Sequence, residues 1–417
     1  VLKTSAVTAS GKPKDQFHFT YPTLTWEALS QSGVEVGYGA TWVLLSTRVP
    51  RSAVVAYTEP GSPATNLSPA LARGAQVLQV DGVDLVNDNT QAGVNVLNAG
   101  LFPATAGESH QFVVRDLGST TSRTITMVAG NVTSAPVQNV GTLAGGAVGY
   151  MLFNDHLATA EPALIGAISQ LQAAHVSDLV LDIRYNGGGY LAIASELAYM
   201  IAGPAQTGGK TFELTRFNDK HPTTNPFTNT AITPMPFYAG AAGFSTTPSG
   251  TPLPHLDLAR VYVLTGPNTC SASESVINGL RGAGVQVIQI GSSTCGKPYG
   301  FYPAENCGTT YFSIQFQGVN ALGFGDYADG FVPQNGATAG VAANAVLPGC
   351  SVGDDFTHAL GDPAESRLAA ALLYRTNGAA GCPAATGMAP PGTLQSLSVT
   401  EGRVFKTPFL ANRILGH

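Results

Sequence analysis

A serine attacks a carbonyl carbon only when a base takes its proton, and a lysine serves as that base only while neutral. Ser271 opens an apparent helix over 271–283, in Thr-Cys-Ser-Ala-Ser-Glu, and Lys297 follows strand 285–291, in Gly-Ser-Ser-Thr-Cys-Gly-Lys. With strand 260–265 ahead of them, the order strand, helix, strand brings both residues to one edge of a sheet. A helix start also turns backbone amides and the positive end of its dipole toward a developing oxyanion. Lys297 is the only lysine between Lys220 and Lys406, and its neighbours are small or apolar. Burial in such a pocket moves a lysine from about 10.4 toward roughly 7–8, a change of about 4 kcal/mol.

A third element is the turn Asn186-Gly187-Gly188-Gly189 after the apolar strand 178–184. Glycines there let amides approach a substrate, so Gly188 or Gly189 could join Ala272 as oxyanion donors. Each piece also has a plain structural reading. Ser271-Ala-Ser-Glu274 fits a capping box, the glycines fit a strand-to-helix turn, and Lys297 fits a surface loop. His156 lies near the same edge, although a lone loop histidine is usually solvated. Gly291 to Lys297 matches part of a phosphate-binding loop, but Pro298 stands where Ser or Thr would hold magnesium. The glycine cluster lacks dinucleotide spacing. No Gly-x-Ser-x-Gly or His-Glu-x-x-His occurs.

The elements that must position these residues are α/β from residue 134 onward. Strand 147–153, helix 160–175, strand 178–184 and helix 190–202 precede the 260–291 unit, which implies a largely parallel buried sheet. Residues 204–258, rich in Thr, Pro, Gly and Asn, read as a long irregular excursion that would make a lid. Residues 31–133 read as a small module of short strands, with a helix at 91–99 and strands at 110–116 and 122–128. Residues 1–30 form an N-terminal segment assigned to a helical or cap region. Residues 351–417 hold one helix, at 365–378, and a tail that includes the basic and apolar stretch Arg403 to Phe409.

Composition narrows the function. The 417 residues carry a formal net charge of −6 with only 11% charged residues, giving no basic stripe for nucleic acid and no membrane span. The five cysteines show no metal spacing, so no metal or other cofactor is expected. Disulfides suit an oxidising, extracytoplasmic setting: periplasm, cell envelope or secreted. Proximity in sequence favours Cys295 with Cys307 and Cys350 with Cys382, leaving Cys270 as the free thiol.

Residues 31–133 resemble a PDZ domain through Gly37-Tyr38-Gly39-Ala40, Pro60 to Ala64, and Gly74 to Gly82. That likeness implies a loop gripping a C-terminal carboxylate while the peptide adds a strand; a spacer with a closed groove is the alternative. Leu181-Asp-Ile-Arg-Tyr-Asn-Gly-Gly-Gly189, Ser271-Ala-Ser-Glu274 and Gly296-Lys297, in this order behind the module, resemble the carboxyl-terminal processing proteases of the S41 serine peptidase family. The resemblance covers roughly 31–340. It implies a Clp protease/crotonase-like α/β sandwich, Ser271 as nucleophile, Lys297 as base, and amides of Ala272 and Gly188 or Gly189 as oxyanion hole. It also implies a bacterial protein acting on protein or peptide substrates with apolar C-termini, a preference that Trp42, Val34 and Val36 would support. Homo-oligomerisation is left open. One departure stands out: Phe301 replaces the glutamine that orients the lysine in many members, leaving a bare dyad or an orienter such as Tyr299 or Ser273. A noncatalytic ligand- or peptide-binding protein on the same scaffold is the alternative, and a PDZ-bearing scaffold protein a third.

Overall fold

Val148–Phe153, Asp178–Asp182, Arg260–Thr265 and Gln286–Gly291 are apolar runs buried over nearly their whole length. They pair in parallel in that order, as strands covered on both faces do. Gly349–Ser351 adds a parallel edge strand and Val137–Leu143 an antiparallel one, giving six strands. The protein is seen in a computed structural model that describes residues 5–7, 11, 13, 17–46, 49–337, 340–386 and 413–414. The rest of the tail, including Arg403 to Phe409, lies outside the described residues.

Side chains alternate across this sheet with the period of two that strands impose. Met151, Phe153, Leu179, Leu181, Val261 and Val263 face one core with helices α3 (Ala160–Ala173), α4 (Leu191–Thr207) and α5 (Ala272–Gly282). Tyr150, Leu152, Val180, Tyr262, Leu264 and Ile288 face the other. There they meet Leu368, Ala370 and Ala371 of a helix at Ser366–Asn377, and Val43, Val54, Ala56 and Tyr57 of the N-terminal module.

That module is an antiparallel sheet in the order Ala40–Ser46, Ser52–Thr58, Gln76–Val80, Ser109–Arg115, Arg123–Val128, so Ala40–Ser46 is an edge strand. Helix α2 (Gln91–Leu101), whose N-cap Thr90 hydroxyl accepts the Gly93 N–H at 3.0 Å, covers it. Trp42, Val55, Val77, Leu97, Phe112 and Met127 fill the space between. A further helix, α1 (Thr23–Ser32), stands ahead of the module, and Phe19–Pro22 before it pairs with Thr309–Phe312 of the larger body.

The sequence reading of 204–258 as irregular is only partly met. Thr211–Arg216 pairs antiparallel with Phe316–Val319 and with Met235–Pro236, in a four-stranded sheet that also holds Tyr299–Gly300. Its partners lie far along the chain, so local composition could not reveal the pairing. Helix α4 also runs to Thr207, past Gly203 at φ 70° and Pro204.

Candidate active site

Ser271 sits in the turn between strand Arg260–Thr265 and α5, with φ 59° and ψ −115°. Positive φ is uncommon for a residue with a Cβ, and such strain gathers where a side chain must be presented in one direction. The Oγ is fully buried and has no hydrogen-bond partner among the described residues. Ser271 and Glu274 stand in the capping-box arrangement expected at this helix start, with the Glu274 carboxylate on the Ser271 N–H and the Ser271 side chain facing the Glu274 backbone.

Glu274, one turn into α5, collects the loop that carries Lys297. Its Oε2 accepts the N–H of Ser271 at 3.0 Å and of Lys297 at 2.8 Å, and its Oε1 accepts the Gly296 N–H at 2.9 Å and the Thr294 hydroxyl at 2.5 Å. Burial pushes this carboxyl above its ordinary value, and the Thr294 hydroxyl and the three N–H groups oppose the shift. One side chain therefore fixes both the candidate nucleophile's turn and the loop of the candidate base.

A second link was not legible beforehand. Cys270 is bonded to Cys295, with Cα atoms 5.2 Å apart, and Cys350 to Cys382; Cys307 is an exposed free thiol. The expected Cys295–Cys307 bridge and free Cys270 are thus corrected, while Cys350–Cys382 is as anticipated. Cys307 is held away in the hairpin between Ala304–Asn306 and Thr309–Phe312. Cys270 precedes Ser271 by one position and Cys295 precedes Lys297 by two, so a site that joins the latter pair also joins the former. Cys270, Cys295 and Glu274 converge within 4.8 Å, but the two sulfurs are joined to each other and offer no thiolate to a metal.

Lys297 is 1% exposed, and its Nζ lies 5.0 Å from the Phe17 ring centroid and 4.9 Å from that of Phe301. Phe301 in turn packs edge-on against Phe19 and Phe312. The residue that displaces the usual glutamine is therefore part of an aromatic box, completed by the N-terminal segment. The Ser273 hydroxyl, a candidate orienter, donates to Asn186 O at 3.1 Å.

The glycine turn docks on the same wall. Asn186 O also accepts the Cys270 N–H at 3.1 Å, and Asn186 Nδ2 donates to Phe153 O at 3.0 Å. Asn186 Oδ1 accepts the Gly188 N–H at 2.9 Å and sits 3.0 Å from His156 Nδ1. Gly189 has φ 138°, and a Cβ there would lie 2.4 Å from His156 O, so only glycine fits. His156 is buried against this turn.

Behind the turn, Arg184 is fully buried and donates to Glu365 through Nη1 at 2.7 Å and Nη2 at 2.9 Å, to Asp354 at 2.8 Å and to Asp182 at 3.0 Å. Arg73 of the module reaches the same Asp354 at 2.7 Å and the Tyr185 hydroxyl at 2.7 Å. Against the opposing effect of burial, the nearby cations Arg367, Arg184 and Arg73 hold the Asp354 carboxyl well below the usual range. The network ties the module to the strand that ends at the glycine turn.

In the module, Gly37 closes strand Val34–Gly37, Gly39 has φ 71° and Ala40 begins the edge strand. The Tyr38 hydroxyl donates to Gly100 O at 3.0 Å and Trp42 Nε1 to Leu101 O at 3.2 Å. Residues 37–42, with Leu101, Phe102, Glu59 and Asp155, line a cavity of about 280 Å³.

Residues 147–301 match the sequence model of Peptidase family S41. The chain is 29% identical over 140 residues to a carboxyl-terminal-processing protease of Picosynechococcus sp. (strain ATCC 27264 / PCC 7002 / PR-6); the match takes in 33% of this chain and spans about a third of that relative, 32%. Among solved structures, a Bacteroides fragilis NCTC 9343 protein classed as an S41 protease superposes with TM-score 0.63 at 24% identity, covering 86% of each chain. The mixed α/β fold is thus that of S41 protease structures. Among the described residues no helix is long and apolar enough to cross a membrane.

Proposed function

We propose that the protein is a serine endopeptidase in which Ser271 and Lys297 form a catalytic dyad. Ser271 Oγ attacks a peptide carbonyl carbon and passes its proton to Lys297 Nζ. The oxyanion is received by the amides of Gly189 and Ala272, since the Gly188 N–H already donates to Asn186 Oδ1. Collapse breaks the C–N bond, the amine leaves with the proton from Lys297, and water then hydrolyses the acyl-enzyme. The observation that carries this reading is the strained turn presenting a buried, unbonded Ser271 Oγ, tied through Glu274 and Cys270–Cys295 to the loop of a buried lysine.

Substrate tails enter at the module, where an extended peptide adds to the open edge of Ala40–Ser46 and its carboxylate meets the Gly37–Ala40 loop. Two disulfides suit work in an oxidising, extracytoplasmic compartment. The test is labelling with a serine-reactive fluorophosphonate together with casein hydrolysis, comparing wild type with Ser271→Ala and Lys297→Ala. Labelling and hydrolysis by wild type alone are expected, with losses of at least about 10³-fold. Tail capture is tested by one substrate with a free and an amidated apolar C-terminus; equal KM values would remove it.

A further inference from the structure

Gly189–Tyr190 has backbone on both sides. On one side the Tyr190 N–H donates to His156 O at 2.9 Å and the His156 N–H to Gly188 O at 3.1 Å. On the other lies Arg413–Ile414, running parallel, with Gly189 opposite Arg413 and Tyr190 opposite Ile414. Tyr299–Gly300, just beyond Lys297, also comes within 8 Å of this segment, Cα to Cα. A piece of chain more than two hundred positions from the glycine turn thus passes between that turn and the strand after the candidate base.

A peptide that offers its carbonyl to Ser271 and to the Gly189 amide must lie along this same edge. Each residue of an edge strand has one N–H and one C=O to give, so two strands cannot hold one edge together. We propose that the open edge of Gly189–Tyr190 is the track for an extended peptide substrate, and that the segment carrying Arg413–Ile414 occupies it in cis as a tethered competitor. The proposal rests on the assignment of Ser271 as nucleophile. A pairing this short is weak between separate molecules, but a tether presents the segment at an effective concentration in the mM range. An intrinsic Kd of about 0.1 mM then leaves the track open roughly a tenth of the time.

Removing residues 388–417 should therefore raise kcat/KM on a fluorogenic peptide by about tenfold, through KM rather than kcat, and speed fluorophosphonate labelling by a similar factor. Ile414→Pro in the full chain, which removes one N–H, should reproduce most of the gain without any truncation. A synthetic peptide spanning Phe409 to His417 should inhibit the shortened protein competitively. Its fluorescein conjugate should bind the shortened Ser271→Ala protein saturably, by anisotropy, and the full-length Ser271→Ala protein about tenfold more weakly. If both active forms hydrolyse with the same KM and labelling rate, and the conjugate does not bind, the cis competitor is overturned while the peptidase reading stands. If neither form hydrolyses but the conjugate still discriminates between them, the track stands and the peptidase reading falls.

Discussion

Around Ser271 the loops are sealed and tied to one another through Glu274, whereas Ala40–Ser46 of the module ends its sheet, with no further strand beside it among the described residues. Glu274 alone receives three backbone amides and a hydroxyl from two loops, with no exposed surface. The module's groove is lined by Tyr38, Trp42 and Phe102 together with Glu59 and Asp155, and the polar tips of Tyr38 and Trp42 hold the module's own helix rather than face outward. The contrast fits the roles proposed for the two regions. A reacting pair has to be held within a fraction of an ångström before substrate arrives, while an edge that adds a strand needs unspent backbone groups. Arg73 joins the two through Asp354, behind the glycine turn rather than through Ser271 or Lys297.

The sharpest way to break this contrast is Glu274→Ala. Freeing both loops should lower kcat by about 10²-fold, the cost of a misplacement near 1 Å, while apolar-tail peptides bind the module unchanged by anisotropy. Loss of peptide binding as well would mean that the regions are not independent. Next comes the Cys270→Ser/Cys295→Ser double variant. Opening a bridge of sequence separation 25 should cost about 3 kcal/mol in denaturant unfolding and reduce kcat, with the module's affinity again unaffected.

A smaller effect concerns the excursion after α4. Glu161 accepts the N–H groups of Gly243 and Phe244 at 2.8 and 3.0 Å, and its neighbour Glu196 accepts that of Ala242 at 2.7 Å. Burial and the adjacent Glu161 push the Glu196 carboxyl from 4.5 up to about 8. The folded state then holds a proton that the unfolded state releases. This contribution is fully present below about 4.5 and is lost as pH rises toward about 8, on the order of 2–4 kcal/mol. Glu196→Gln should flatten that decline in a series of thermal melts; an unchanged slope would count against it. The smallest is Tyr38→Phe, which removes the bond to Gly100 O and should cost about 1 kcal/mol in the module's stability without changing kcat.

Taken alone, the sequence determined the local elements and pointed to the candidate nucleophile and base. Strand 260–265 and the helix after Ser271 have the bounds expected within a residue or so, because alternation, helical periodicity and the Ser-x-x-Glu start are encoded within a dozen positions. Lys297 stands out in the sequence by its isolation among small and apolar neighbours, and it is buried. What tertiary structure decided depends on residues distant in sequence. Glu274 was legible as a cap, but its grip on Gly296 and Lys297 exists only once strand Gln286–Gly291 returns beside Arg260–Thr265. Nearest-neighbour pairing of cysteines failed for the same reason, since the fold places Cys270 against Cys295 and Cys307 on an exposed hairpin. Phe17 meeting Lys297 and Arg413–Ile414 meeting the glycine turn leave no local trace, because a close approach of distant chain segments has no periodicity for a sequence to display.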